Sequence, residues 1–209
     1  MKEIQISTWS RKEAFELFKA SPNPHFSVTA DINVTRLIKV IKPTGLSTFN
    51  VVLFALAKAA NSIPEFRVRF KGDKVYQYPV CHPSVTVPIT DTNFAFCETE
   101  FSDHWPTFND RCTQSIAAAK KQTRLKESEN CDHQFFFTCS PWLHFTGMTH
   151  AHNGVDDCIP RFAWGKYSQR GDDWFMPLNV QVHHAVTDGY HAAQLFLKTE
   201  AILAEEEFI

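Results

Sequence analysis

The stretch FMPLNVQVHHAVTDGYHAAQLF occupies residues 175–196. Met176, Leu178, Val180 and Val182 recur with period two, and Asn179 and Gln181 hold the alternate positions. That alternation predicts a strand running from Trp174 to Val182. His183 and His184 fall at its end and face opposite ways, because strand side chains alternate. One imidazole can then be buried as a support while its neighbour faces a cleft. Asp188-Gly189 signals a turn, where Gly tolerates positive φ. Tyr190 to Glu206 reads as a closing helix.

Working outward, Phe26 to Val34 alternates as a strand. Ser47 to Ile63 carries Phe49, Val52, Leu53, Leu56, Ala59, Ala60 and Ile63 at helical spacing, and Pro64 ends it. Ser10 and Glu13 form a capping-box pattern that predicts a short helix bearing Phe15, Leu17 and Phe18. Phe66–Phe70 and Lys74–Tyr78 flank Gly72-Asp73 as a hairpin. Val85–Val87, Phe94–Phe96 and Phe135–Cys139 read as strands, and Phe108 to about Lys126 as a polar-faced helix. The elements mix without a regular β-α repeat, which predicts an α+β fold with a large mixed sheet.

The 209 residues suit one domain spanning 1–209, since no Pro/Gly/Ser-rich linker interrupts them. A hydrophobic fraction of 44% supplies a core without staples. The net charge is -2 and the densest basic stretch, Lys120 to Lys126, reads as a solvated helix face, which argues against nucleic acid. No apolar run is long enough to span a membrane, and Glu3 interrupts any signal-like start. Six cysteines without zinc spacing read as reduced thiols in a cytoplasmic protein.

Several readings of the histidine pair compete. They can be ordinary hydrogen-bonded residues at a strand end. They can join Asp188 and His191 in a metal site, although adjacent strand residues point apart and no helical His-x-x-x-His pair exists. His150-Ala151-His152 would set two imidazoles on one strand face, without partner spacing, and reads as structural or surface. A Ser-His-Asp hydrolase lacks its Gly-x-Ser-x-Gly elbow. A His can also serve as general base toward a substrate hydroxyl, since an imidazole titrates near neutral pH.

His183-His184-Ala185-Val186-Thr187-Asp188-Gly189 resembles the His-His-x-x-x-Asp-Gly signature of CoA-dependent acyltransferases. The flanks, with TWSRKEAFELF, HFSVTADINVT, SPWLHFTG and WGKY, are similar over nearly the whole chain to the type A chloramphenicol acetyltransferases. The resemblance implies a two-layer sandwich, direct acetyl transfer from acetyl-CoA as co-substrate to the 3-hydroxyl of chloramphenicol, and no metal. It implies that His184 is the base, that Thr138 stands where the family has an oxyanion-binding Ser, and that Asp188 pairs with Arg11. Leu17, Phe18 and Trp142 are implied in substrate binding. It further implies a homotrimer, with the base from one subunit and much of the acceptor pocket from its neighbour. Ala163 replaces a Thr that holds a water in better-known members, which implies a slower enzyme. Another hydroxyl acceptor, and a non-catalytic apolar-ligand binder, are the alternatives.

Overall fold

A computed structural model describes residues 1–125 and 130–209. Among the described residues the strands form two sheets. The smaller joins β1 (Lys2–Ile4), β4 (Lys74–Gln77) and β3 (Val68–Lys71), in that order. The larger comprises β2 (His25–Asn33), β10 (Asp173–His183), β8 (Arg161–Gly165), β7 (Gln134–Ser140), β5 (His82–Pro88) and β6 (Phe94–Glu98), with β9 (Ser168–Arg170) on the far part of β10. β5, β7 and β8 run parallel, and the other pairings are antiparallel. The expected large mixed sheet is therefore present.

Helices α2 (Thr48–Asn61), α3 (Trp105–Ala119) and α4 (Gly189–Glu205) contribute to one core with the sheet. Met176, Leu178, Val180 and Val182 of β10 are buried in it. α2 is almost wholly buried from Asn50 to Ala60, so its apolar residues surround the axis rather than forming one stripe. Ser47 caps it by accepting from the Asn50 amide. Among the described residues no helix is long and apolar enough to cross a membrane.

A second core joins the small sheet to α1 (Lys12–Lys19) and to the turn after β10. Phe15, Val68, Phe70, Val75, Cys158, Ala185 and Val186 form it. The middle of the His-His-x-x-x-Asp-Gly segment is thus fixed by packing, not left as a free loop.

Three expectations need correction. The Ser10/Glu13 capping box does not form: α1 opens with Arg11 at the cap position, and no side chain caps it. The Arg11 side chain points instead to a distant carboxylate described below. α3 starts at Trp105, with Pro106 in its first turn, and ends at Ala119. Lys120 to Leu125 consequently leave the helix, while Lys126 lies outside the described residues. His150-Ala151-His152 is not a strand, because side chains rather than a backbone ladder hold this segment on the sheet. β8 and β9 were not anticipated as strands; the Pro160 and Gly165 boundaries leave too short an alternation to read.

Gly165 ends β8 under the segment Leu143–Phe145. A Cβ there would lie 2.5 Å from the Leu143 carbonyl oxygen and 2.8 Å from Pro177 Cγ. The Lys166 amide also donates to that carbonyl, at 2.8 Å, which fixes the approach. Gly165→Ala should cost about 1–3 kcal/mol, read as a lower denaturation midpoint. An unchanged midpoint would show that this segment yields freely.

Candidate functional site

The site begins where β10 ends. The two histidines take different environments: His183 is the last residue of β10 and His184 the first of the turn that follows. His183 is buried. Its Nε2 lies 2.8 Å from the Val155 carbonyl, and its Nδ1 accepts from the Ala185 amide at 3.1 Å. A carbonyl can only accept, so Nε2 carries the proton and the ring is a neutral brace. Burial, with a smaller contribution from nearby His25, pushes its pKa down to about 4, against the pull of the Val155 carbonyl.

His184 is half-buried and its amide donates to the Pro24 carbonyl at 2.8 Å. Phe18 stacks on its imidazole, with ring centroids 3.7 Å apart and planes 5° from parallel. Phe26 lies against it at 4.7 Å. Nδ1 is buried and makes no hydrogen bond among the described residues. Nε2 is the nitrogen left open to a ligand. The ring is therefore packed face to face on Phe18 and against a tilted Phe26, at 47°, which restricts its rotation.

Asp188 caps α4. Its Oδ1 accepts from the amides of Tyr190 and His191, at 3.0 and 3.4 Å. Nδ1 of His191 faces the Asp188 amide at 3.2 Å and its Oδ1 at 2.8 Å. A neutral ring accepts from the first, and a ring protonated there donates to the second. A reciprocal capping box, missing at Ser10, thus exists here with His in place of Glu. The other carboxylate oxygen receives Arg11 Nη1 at 2.7 Å. Burial works against the charged carboxyl, but the Arg11 bond and then the His191 contacts outweigh it and hold its pKa below the usual range. The pair joins residues 177 positions apart.

Thr138 lies elsewhere. It lines a cavity of about 380 Å³ on the sheet face away from the helices, with Ser84, Thr86, Phe96, Phe136 and His150. In register, Thr138 stands beside Ala163, and Ala163 beside Asn179. His184 lies five residues past Asn179 in the chain. With strand rise of ~3.3 Å and strand spacing of ~4.8 Å, Thr138 is about 19 Å from His184 in the same chain. Arg11, Phe18, Asp188 and His184 are thus brought together, and Thr138 is not. Leu17 and Trp142 are both strongly exposed, at 67% and 75%.

Residues that sequence reasoning did not single out shape the cavity. Asn179 and Gln181, buried on the polar side of β10, grip Met148 and His150 through their amides. Asp157 and Arg161 form an ion pair at 2.5 Å with side chains only 6% and 7% exposed. Two amides alternating inside an apolar strand were the available signal. Among the described residues no group of three or more His, Cys, Asp or Glu is arranged to hold a metal ion.

A family model described as chloramphenicol acetyltransferase matches residues 1–199. A chloramphenicol acetyltransferase of Klebsiella sp is 30% identical over 194 residues, covering 92% of this chain and 89% of that protein. A solved chloramphenicol acetyltransferase superposes with a TM-score of 0.90 at 27% identity, over 97% of this chain and 100% of the other. A probable dihydrolipoamide acetyltransferase from Listeria monocytogenes shares the fold, with a TM-score of 0.68 at 14% identity over 100% and 97% of the two chains.

Two outcomes follow from this geometry. Asp188→Ala removes both the cap and the ion pair and should cost about 1–2 kcal/mol. Asp188→Asn keeps the capping oxygen and should cost less than about 1 kcal/mol, because the paired side chains are 15% and 34% exposed. Urea denaturation of both variants checks this, and equal losses would mean that the pair, not the cap, dominates. The second outcome concerns acid. Between its ordinary 6.5 and about 4, the unfolded chain binds a proton at His183 that the folded ring refuses. Stability is then full above 6.5 and falls with pH through that window, by on the order of 3 kcal/mol. His183→Gln should flatten the fall in melting temperature from pH 7 to pH 5. A slope unchanged in that variant would assign the acid sensitivity to other groups.

Proposed function

The chain belongs to the chloramphenicol acetyltransferase family, and from that membership we propose that it transfers acetyl from acetyl-CoA to the 3-hydroxyl of chloramphenicol, by direct general-base catalysis. The observation that carries this reading is the setting of His184: an imidazole at a strand end, clamped between Phe18 and Phe26, with one ring nitrogen open. In this reading Nε2 removes the acceptor proton while the oxygen attacks the thioester carbonyl, and returns that proton as the thiolate leaves. A thioester is already activated, so alignment and oxyanion support complete the requirement. Thr138 supplies the oxyanion donor. Asp188 and Arg11 are positioning residues that hold the turn behind the base.

The roughly 19 Å between His184 and Thr138 supports an assembly in which each site draws the base from one copy and the oxyanion hydroxyl from its neighbour. A homotrimer closes such head-to-tail contacts. Acetyl-CoA is placed, in this reading, at a second cavity of about 450 Å³ where the Pro-Trp and Gly-Lys-Tyr segments meet. Lys42 and Lys166 line it with Tyr167 and Trp164, and supply the cations that a phosphate-bearing donor needs.

The test is free CoA detected by a thiol dye, with acetyl-CoA and with or without chloramphenicol. Drug-dependent release supports the assignment. Release only with another alcohol moves it to a different acceptor, and drug binding without any release makes the protein a binder. His184→Ala should lower turnover at least ~10²- to 10⁴-fold, and Thr138→Ala about 10²- to 10³-fold. Co-expression of these two variants should yield mixed assemblies with recovered activity, because some sites then combine an intact His184 with an intact Thr138. Mixed assemblies as inactive as their parents, or light scattering that reports a monomer, would overturn the shared site.

A further inference from the structure

His150 stands in the cavity that holds Thr138, and its proton arrangement can be deduced. Nδ2 of Asn179 lies 3.0 Å from the Met148 carbonyl, 3.3 Å from the Val28 carbonyl, 2.7 Å from Ser27 Oγ and 2.8 Å from Thr29 Oγ1. Carbonyl oxygens only accept, so this end of the amide is the NH2 group. Oδ1 must then be the atom 3.1 Å from His150 Nε2. An amide oxygen accepts, so Nε2 carries the proton. Nδ1 of His150 is consequently a bare acceptor, with no partner among the described residues.

The ring cannot turn away easily. The Gln181 side chain accepts from the His150 amide at 2.8 Å and donates to the His150 carbonyl at 3.1 Å. Both backbone groups of this one residue are tied to β10, which is itself paired on both sides. Burial, outweighing the Asn179 bond, lowers the pKa and keeps the ring neutral at physiological pH. The remaining cavity wall includes Phe96 and Phe136, which suit an apolar body. An unpartnered acceptor on a residue that lines the same cavity discriminates by what it leaves unpaired: a ligand without a matching donor forfeits a hydrogen bond at a half-buried residue.

We propose that His150 is a specificity-determining residue of the acceptor pocket, its Nδ1 accepting from a second hydrogen-bond donor on the acceptor molecule, distinct from the hydroxyl that is acetylated. Asn179 and Gln181 act through it as positioning residues. The substrate class is a neutral, largely apolar alcohol with one further hydroxyl or amide N–H. This rests on the reading of the Thr138 cavity as the acceptor pocket.

The experiment measures affinity by calorimetry, so that it does not depend on turnover. Chloramphenicol offers two further donors, its 1-hydroxyl and its amide N–H. It is compared with its 1-deoxy and N-methyl analogues on the unmodified protein, on His150→Phe, which keeps the ring shape, and on His150→Leu. The unmodified protein should bind one analogue about three- to tenfold more weakly than chloramphenicol, the range of one neutral hydrogen bond. Both variants should lose that discrimination while keeping their circular dichroism spectrum. Equal affinity of the unmodified protein for all three compounds overturns the proposal, even if a variant fails to fold. So does discrimination that survives in a folded variant, and so does an absence of chloramphenicol binding. Failure of the catalytic reading has a different signature: discriminating binding without any CoA release.

Discussion

Asp188 is the point on which the site depends. One carboxylate caps the last helix with one oxygen and receives Arg11 with the other. The first bond fixes where β10 must stop and α4 must start. The second draws in the N-terminal helix that carries Phe18. His184 lies between these two anchors, four residues before the carboxylate, and Arg11 together with the burial of Phe15 against Ala185 and Val186 sets α1 where Phe18 stacks on it. A pair this exposed adds modest stability. Its larger effect is geometric, since it joins chain ends that no local interaction could bring together.

The two faces of the large sheet divide the labour. Toward the helices β10 presents Met176, Leu178, Val180 and Val182, which drive collapse through burial. Toward the other side it presents Asn179 and Gln181, which are as deeply buried as the apolar set. Burying amides is tolerable only when their donors and acceptors are matched. The segment around Met148–His150 provides those partners, and in return is held without any ladder of its own. A loop thereby acquires the positional precision of a strand, and His150 with it.

The adjacent histidines show how one strand end can build two environments. His183 is turned inward and kept neutral by burial. His184 leaves the strand and meets aromatic faces instead. Among the described residues no carboxylate hydrogen-bonds to either ring. At His184 aromatic packing substitutes for a hydrogen-bond partner, whereas His183 is held by the Val155 carbonyl and the Ala185 amide. His184 and Thr138 stand far apart within one chain, the path between them crossing from β10 through β8 to β7.

The sequence by itself determined the element types along β2, α2, β7, β10 and α4, because their periodicity is long and their boundaries carry Ser, Pro or Asp-Gly signals. His184 and Asp188 stood out through a motif whose spacing is local, while their roles, and Arg11 altogether, came from family resemblance. The pairing of Arg11 with Asp188 came from family resemblance, since no local pattern encodes a contact across 177 residues. The capping box at Ser10 failed for a related reason: a tertiary partner claimed the neighbouring Arg11, and the box appeared at Asp188 with a His that no Glu/Gln pattern would reveal. Only the tertiary structure decided that Asn179 and Gln181 are buried, that they hold His150 in the cavity that Thr138 also lines, and that His184 and Thr138 are kept apart. Periodicity reports which face a residue occupies, whereas sheet register and loop docking determine what it meets there.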